Sequence, residues 1–384
     1  MTPIRIRPAW VFSNEAGEEV DDRLFRLLHA VHSTGKLTAA AKEAGLSYRH
    51  AWNMLARWSE FFGGTLVELA QGRGARLSPL GEKLSWVEAR ARARLLPQLE
   101  NVASELNLEL GRVMADSSPT LRLHASYGYG VAKIPELLRR HARIGLDLQY
   151  LSAAHSLASL ARGACDLAGF HVPEGEDRGA RALAAYQPWL DPAEQRLIYL
   201  VRRQQGLYVA PGNPHRIVGL RDLTRRGIRF VNRQRGSGTR VLFETLLEEQ
   251  AIDPRSVDGF DTEEHTHAAV AAHVASGTAV AGFGVEPAAR EFKLDFVPLA
   301  AESYFLICSR QTLRAPWTDE LVRLLRGPEY RSLVADVPGY SADRAGELLA
   351  LADAFPWIAP RQTVRSTPRK KRRVRRRRRR RPRR

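Results

Sequence analysis

Apolar side chains at helical spacing predict two short helices near the N-terminus, at about residues 37–44 and 47–61. Gly45 lies between them, where a tight turn needs a residue that tolerates positive φ. Ala41 is small enough to let the two helices cross at a steep angle. Ser47 is a favourable N-cap for the second helix. This pattern is typical of a helix-turn-helix, whose second helix begins against the bases of double-stranded DNA.

The pattern that follows these helices is strand, glycine turn, strand. Leu66–Leu69 and Ala75–Leu77 read as strands, and Gln71–Gly74 separates them. Such a hairpin predicts a wing, with Arg73 and Arg76 at its tip. These arginines suit a minor groove or phosphates, although an arginine at a loop tip is also commonly just solvated. A further alternation, Ile4-Arg5-Ile6, predicts a strand at the start of the chain.

A long helical pattern runs from about Ser78 to Leu110, with Pro97 as a predicted kink. Its apolar stripe is longer than a small neighbouring domain can cover, so it predicts a dimer seam. The residues of that seam are Leu84, Val87, Leu95, Leu99 and Val102.

From Leu121 onward, short strands alternate with helices, which predicts an α/β domain with mostly parallel sheets. Ligands of such sheets bind at the carboxyl ends of strands, beside helix N-termini. The loop Asn232–Arg240 combines arginines, hydroxyls and small residues before a helix, and this set suits an anion. A polar loop with an ordinary N-cap is the alternative. The candidate ligand residues are Ser126, Tyr127, Ser156, His171, Arg233, Arg235, Ser237, Gly238, Thr239 and His265.

The remaining chemistry is sparse. Cys165 and Cys308 are the two cysteines, so no disulfide framework is expected. His265, His267 and His273 do not make a convincing metal set. No catalytic set can be assigned, so the chain is not expected to be an enzyme. The N-terminus lacks the apolar run of a signal peptide and no window is long enough to span a membrane, which predicts a cytoplasmic protein without membrane contact.

The net charge of +17 is concentrated at the C-terminus. Residues 365–384 contain 15 Lys and Arg and no acid, which leaves the rest of the chain at +2. Such a segment cannot bury a core, so we expect it to be disordered. It has the charge to hold DNA phosphates without reading sequence, and compositional drift at a tolerant terminus explains it equally well.

The order of motifs in residues 1–110 resembles the ModE-type winged-helix regulators, and is similar to the DNA-binding head of LysR-type regulators. The segments that carry the resemblance are Gly35–Ala41, Gly45–Trp52 and Leu77–Gly81. The resemblance implies that Trp52 packs inside. It also implies a DNA-binding surface, and the candidate DNA contacts are Thr38, Ser47, Tyr48, Arg49, Asn53, Arg57, Arg73 and Arg76.

A second resemblance covers about residues 118–310. Gly163–His171, Asn232–Arg240 and His265–Val270 resemble the periplasmic-binding-protein-like domain that is found fused to ModE-type heads. It implies two α/β lobes, hinges near 201–208 and 299–304, and a ligand in the cleft. The implied ligand is molybdate, tungstate or a molybdenum-cofactor species such as molybdopterin. No Mop-type oxyanion domain is visible, so molybdate is inferred by association only.

The expected fold is an α+β winged helix-turn-helix head with a long dimerisation helix, followed by a two-lobed α/β domain of type II. The expected boundaries are 1–80 for the head, 81–115 for the helix, 118–355 for the ligand-binding domain and 361–384 for the polybasic tail.

We expect a ligand-responsive DNA-binding regulator without a cofactor, a homodimer or dimer of dimers, in which lobe closure changes the spacing or angle of two heads. The alternative is a molybdenum-cofactor-metabolism protein or enzyme with an accessory DNA-binding head. A transport-type solute-binding protein is disfavoured by the missing signal peptide and by the DNA-binding head.

Overall fold

The computed structural model describes residues 4–9, 11–15, 17, 19–20, 22–70, 74–113, 119–141 and 144–357. The wing-tip residue Arg73 and the polybasic tail therefore lie outside the described residues. The N-terminal region begins with a short hairpin and continues with three helices and a second hairpin. Its elements are β1 (Phe12–Ser13), β2 (Glu19–Val20), α1 (Asp22–Thr34), α2 (Leu37–Glu43), α3 (Tyr48–Phe61), β3 (Val67–Ala70) and β4 (Gly74–Leu77).

The head folds as the pattern predicts from Asp22 onward. Ala40, Ala41 and Ala51 are fully buried where α2 and α3 meet. Gly45 takes φ 72° in the turn, and the Ser47 hydroxyl accepts a hydrogen bond from the His50 amide at 3.2 Å. The strand predicted at Ile4–Ile6 is wrong, because residues 4–9 form neither helix nor strand.

Helix α4 (Pro79–Val113) follows the wing and continues through Pro97. Its first turns pack against the head, and further along it packs against the domain that follows. No helix within the described ranges combines the length and apolarity that a bilayer crossing requires.

The second domain alternates strands and helices from Thr120 onward. Its first elements are β5 (Thr120–Ala125), α5 (Ile134–His141), β6 (Gly145–Tyr150), α6 (Ala153–Ala161), β7 (Leu167–Pro173), α7 (Glu176–Ala184) and β8 (Gln195–Val209). The next are β9 (Phe230–Arg233), α8 (Gly238–Glu249), β10 (Glu263–Glu264), α9 (His267–Ala275), β11 (Ala281–Val285), α10 (Glu286–Glu291) and β12 (Asp295–Ser309). The last are α11 (Pro316–Arg326), α12 (Pro328–Ala335), β13 (Tyr340–Ser341), β14 (Leu348–Ala350) and α13 (Leu351–Ala354).

These strands form one curled sheet in the order β10-β9-β11-β8-β12-β7-β5-β6, with β13 and β14 also paired to β8. Strands β5, β6 and β7 are parallel, and so are β9, β10 and β11. The two groups are joined by the antiparallel pair of β8 and β12, each 15 residues long. The sheet is therefore mixed, and the prediction of mostly parallel sheets holds only inside each group.

The domain thus has two lobes. Lobe 1 comprises residues 119–141, 144–201 and 304–357, and lobe 2 comprises residues 206–300. Both predicted hinge segments lie in β8 and β12, the two long strands that run from one lobe to the other. Lobe 2 is filled partly by aromatic side chains, among them Phe230 and Phe243, whose rings stack at 4.6 Å. This architecture confirms the predicted fold class.

Candidate functional site

Helix α3 presents polar and aromatic side chains on its outer face. Tyr48 is 51% exposed and Trp52 is 48% exposed, one helical turn apart. Arg49, Asn53 and Arg57 are also exposed on this helix. An exposed surface that mixes aromatic and basic side chains fits contacts to bases and phosphates.

The expectation that Trp52 packs inside is wrong. The buried side of α3 consists of Ala51, Met54, Leu55 and Trp58. These positions follow the helical period, and Trp52 falls outside it. The helical period of Ala51 and Met54 places Trp58, and not Trp52, on the buried side, so the inference from the family resemblance was wrong.

The other candidate DNA contacts lie around this helix. Thr38 is exposed in the first turn of α2, and Ser47 is exposed but uses its hydroxyl as the N-cap of α3. Arg76 is exposed on the wing, opposite Glu68 in the β3–β4 register. Its Nη2 lies 2.7 Å from the Glu68 carboxylate. A phosphate would have to compete with that carboxylate for the Arg76 guanidinium.

A second group of polar side chains lies where β8 and β12 cross between the lobes. Arg203 and Glu302 face each other in the strand register. Arg203 Nε donates to Glu302 Oε2 at 2.9 Å, and Gln205 Nε2 donates to the same oxygen at 2.6 Å. All three side chains are essentially inaccessible to solvent. A buried ion pair of this kind is expensive to desolvate and is weak evidence for stability alone.

Both lobes add side chains to this group. His171 on β7 reaches it from lobe 1, with Nε2 at 3.9 Å from Glu302 Oε1. From lobe 2, Thr239 Oγ1 accepts a hydrogen bond from Gln205 at 3.1 Å. Gly238, the first residue of α8, is in such close contact with His171 that a Cβ there would lie 2.1 Å from His171 Nε2. The lobes therefore touch at the N-terminus of α8.

Lobe 2 also contributes Arg233 and His267. Arg233 Nη2 donates to the His265 carbonyl at 2.8 Å. His267 occupies the first position of α9 and is buried. A Cβ at Gly284 would lie 2.6 Å from His267 Nδ1, so only glycine leaves this ring its space. We call Arg203, Gln205, Glu302, His171, Thr239, Arg233 and His267 the cleft cluster.

The electrostatics of the cleft cluster favour an anion. Burial, with a smaller effect of nearby arginines, lowers the pKa of His171 to about 4 and that of His267 well below 6.5, so both rings are neutral at pH 7. Burial opposes ionisation of Glu302, but the Arg203 guanidinium, His171 and the hydrogen bond from Gln205 together outweigh it and lower the pKa of that carboxyl. Burial lowers the pKa of Arg233 to about 10, which still leaves it charged at pH 7. Two guanidinium groups therefore face one carboxylate, and the N-termini of α8 and α9 add positive potential.

Several buried polar atoms of the cleft cluster have no hydrogen-bond partner among the described residues. They include both ring nitrogens of His171, Gln205 Oε1, His267 Nδ1 and Glu302 Oε1. The buried Ser156 hydroxyl, near the start of α6, is also without a partner among the described residues. Leaving one such atom unpaired costs about 1–3 kcal/mol. Their concentration in one place is typical of a site that a polar ligand completes.

The remaining sequence-based candidates lie at different distances from this cluster. Ser126 Oγ is 3.1 Å from the Tyr304 hydroxyl, and the next residues, Tyr127 and Gly128, bring the loop after β5 towards Arg203. Ser237 serves as the N-cap of α8.

Arg235 and His265 are not brought into the cleft cluster. The Arg235 side chain is 74% exposed and pairs with Asp261 at 2.9 Å. His265 is exposed and hydrogen-bonds Gln234. Both residues sit in loops that turn outward, which the loop composition alone does not reveal.

Sequence reasoning missed Arg203, Gln205 and Glu302. They lie in the interior of β8 and β12, not in the loops at strand ends where ligand residues were sought. The sequence did contain a signal for this site. Arg203 and Gln205 are two residues apart, so they lie on the same face of a strand whose flanks are apolar. Polar side chains on the buried face of a strand need partners, and here those partners come from the other hinge strand.

The two lobes are also joined outside the cleft cluster. Arg178 on α7 makes two hydrogen bonds of 2.7 Å to Glu249 on α8, and Arg181 pairs with Glu248. The Tyr129 hydroxyl donates to Glu291 on α10 at 3.2 Å. These contacts hold the lobes in a closed arrangement.

A groove of about 610 Å³ extends from the cleft to the DNA-binding head. Tyr127, Tyr129 and His267 line its inner end, and Trp86 of α4 lines its outer wall. Helix α1 contributes further residues to that wall. The linker helix and the head therefore stand at the approach to the cleft.

Comparison with protein families assigns both parts of the chain. Residues 135–326 match the PBP superfamily domain, and residues 23–82 match the bacterial regulatory helix-turn-helix protein, lysR family.

Two individual relatives are similar to parts of the chain. The chain is similar to the uncharacterized protein YvgK of Bacillus subtilis (strain 168), with 33% identity over 52% of this chain and 64% of YvgK. It is also similar to the molybdenum-pterin-binding protein MopB of Rhodobacter capsulatus, with 35% identity over 23% of this chain and 34% of MopB. The chain thus spans less than two thirds of the length of either relative.

Among solved structures, a mutant of OxyR from Corynebacterium glutamicum aligns with 15% identity and a TM-score of 0.40. The alignment covers 81% of this chain and 93% of that one.

Proposed function

The chain belongs to the PBP superfamily and carries a LysR-type helix-turn-helix in front of that domain, and from this premise we propose that it is a transcriptional regulator controlled by a small anion. The anion binds in the cleft cluster, and the outer face of α3 reads the operator. The protein then acts in the cytoplasm, where its DNA is. The observation that carries the proposal is the cleft cluster itself, with its excess of guanidinium charge and its unpaired buried polar atoms.

The unpaired groups that carry a proton suggest roles in anion binding, whereas Gln205 Oε1 and Glu302 Oε1 are acceptors that would face a donor of the ligand. Ser156 Oγ can donate its proton, and each neutral imidazole carries one N–H that can donate to an oxyanion. Arg233 supplies charge, and the N-terminus of α8 supplies backbone N–H groups. Glu302 accepts from Arg203 and Gln205 and so fixes both side chains in position. A tetrahedral or octahedral oxyanion could use such donors from both lobes at once.

We propose molybdate, tungstate or a molybdenum-cofactor species as the anion. The similarity to a molybdenum-pterin-binding protein supports this choice. The groove that leads from the cleft leaves room for a ligand with a larger body than a bare oxyanion, so molybdopterin remains within the proposal.

We further propose that α4 forms the dimer. Asn101 and Ser104 lie on the side of α4 that faces its own second domain. At 100° per residue, the apolar stripe Leu95, Leu99 and Val102 lies on the opposite side of the helix. Val102 is 51% exposed. This stripe is therefore free to pair with a second copy, which would place two heads on an inverted repeat.

Calorimetry tests the ligand assignment. Titration of the full chain with molybdate and with tungstate should give saturable heat, and Arg233→Gln should weaken the binding at least tenfold. Arg235→Gln is the matched control, because Arg235 lies two residues away on the surface and pairs with carboxylates. Wild-type protein that binds neither oxyanion nor molybdopterin would reject these ligands. Equal weakening by the two variants would reject the site.

A further inference from the structure

Helix α4 contacts both lobes of its own second domain, at separate places along its length. On lobe 1 it meets the edge strand β6. Asn101 Oδ1 accepts from the Tyr150 amide at 2.6 Å, and Asn101 Nδ2 donates to the Tyr150 carbonyl at 3.1 Å. Ser104 Oγ accepts from the Leu148 amide at 3.0 Å. These side chains take the place of a neighbouring strand and satisfy the exposed edge of the sheet.

On lobe 2 the contact is ionic and aromatic. Arg94 Nε donates to Glu264 Oε2 at 2.7 Å, and Arg94 Nη2 pairs with the other carboxylate oxygen. His273 Nε2 lies 2.6 Å from the same carboxylate, which is fully buried. About two helical turns before Arg94, the Trp86 ring lies 5.8 Å from the ring of Phe292.

Pro97 lies between these two sets of contacts. Proline has no N–H, so the carbonyl of Ala93 loses its helical hydrogen bond, and the helix bends most easily at this turn. The half of α4 before Pro97 is bonded to lobe 2 and to the head, and the half after it is bonded to lobe 1. A rotation of the lobes about β8 and β12 must therefore bend α4 at Pro97 or break one set of contacts.

The lobe 2 contact is also continuous with the cleft cluster. Arg233 donates through Nε to the Glu264 carbonyl at 3.3 Å, while the Glu264 side chain holds Arg94. His267 follows three residues later. A ligand that engages Arg233 and His267 thus acts on the segment that anchors the linker helix.

We propose that α4 couples lobe closure to the position of the DNA-binding head, through anchors on both lobes and a bend at Pro97. The inference concerns the regulation of the proposed sensor and rests on that proposed function. Coupling is reciprocal, so cutting an anchor must also change how far the lobes open. This consequence can be measured without DNA and without ligand.

The experiment measures the distance between the lobes by double electron–electron resonance on the full chain. Spin labels are placed at Val218→Cys in lobe 2, where Val218 is 75% exposed, and at Arg331→Cys in lobe 1, which is also exposed. The native Cys165 and Cys308 are buried and do not compete for label. The test variant is Asn101→Ala with Ser104→Ala. The control is Gln98→Ala with Glu105→Ala, at exposed positions of the same helix.

The test variant should show a second interlobe distance that is at least fivefold more populated than in the control. Arg94→Gln, which cuts the other anchor, should produce the same population. Identical distance distributions in wild type, test variant and Arg94→Gln would overturn the inference.

A second experiment tests the coupling in the reverse direction by removing the ion pairs between the lobes. Arg178→Ala with Arg181→Ala should speed amide hydrogen exchange in residues 93–101 at least tenfold. Unchanged exchange there would also overturn the inference. If the protein shows this coupling but binds no oxyanion, the proposed ligands are rejected and the role of α4 is kept. If it binds molybdate but shows no coupling, the proposal that α4 connects the lobes to the head is rejected.

Discussion

The DNA-binding head and the second domain place their functional side chains in opposite environments. On α3, Arg49 and Trp52 are exposed, while the residues that hold the head together, such as Trp58, are buried on the other side of the helix. In the cleft cluster, Arg203 and Glu302 are fully buried between the lobes. In the head, the residues proposed to contact DNA are therefore distinct from those that hold the fold together, whereas in the second domain the residues proposed to bind the ligand are part of the buried interior.

The sharpest test of this contrast is the loss of Arg203. Arg203→Met leaves the Glu302 carboxylate buried without its charge partner, which should lower the free energy of unfolding by about 3–5 kcal/mol. Urea denaturation of the full chain measures this loss. Arg202→Met is the matched control, because Arg202 is the adjacent residue, is half-exposed and pairs with Glu174. A surface pair of that kind contributes about 0–1 kcal/mol. Equal losses of unfolding free energy in Arg203→Met and Arg202→Met would contradict this contrast between the head and the second domain.

The pH dependence of stability also tests whether the buried residues of the cleft cluster contribute to stability. Burial lowers the pKa of His171 to about 4, against 6.5 in the unfolded chain. Below pH 6.5 the unfolded chain binds a proton that the folded chain does not, so stability is present at pH 7 and is lost as the pH falls. From His171 alone the loss should be about 2 kcal/mol between pH 7 and pH 5. Buried His267 acts in the same direction.

Urea denaturation at pH 7 and pH 5 measures this loss. His171→Gln should remove about half or more of it, while His265→Gln, at an exposed position, should not change it. If His171→Gln loses as much stability on acidification as the wild type, the buried neutral imidazole does not contribute to the pH dependence.

In the head, by contrast, loss of a functional side chain should weaken DNA binding without lowering stability. Arg49→Ala should weaken operator binding by about 1–3 kcal/mol if the side chain reads a base. The free energy of unfolding should stay within about 0.5 kcal/mol of the wild type, because Arg49 is exposed. An electrophoretic mobility assay with the operator and with random duplex, beside a urea curve, measures both quantities. Unchanged affinity and specificity would remove Arg49 from the reading surface.

The same contrast explains what the sequence could reveal. The turn at Gly45, the N-cap at Ser47 and the wing are local features, and a short stretch of chain is enough to specify each of them. The cleft cluster is assembled from β7, β8, β12, α8 and α9, which are far apart in the chain. Two of its members, Arg233 and Thr239, were identified because strand ends are where ligands bind in α/β folds.

Arg203 and Glu302 could not be paired in advance, because their contact depends on the register of two long antiparallel strands. Each of these strands reads as two short apolar runs with a polar middle. The resemblance implied hinges at these segments, and the polar middle is where each strand passes from one lobe to the other. Arg235 shows the reverse error, since composition favoured a residue whose side chain turns to solvent.

The central claim is that an anion in the cleft cluster changes how the head binds DNA. The direct measurement is the operator Kd with and without a saturating oxyanion, for wild type and for Arg233→Gln. The account predicts a shift of at least about fivefold in the wild type, as typical allosteric coupling energies give. It predicts no shift in Arg233→Gln. An oxyanion that binds the wild type in the cleft yet leaves the operator Kd unchanged would contradict the claim.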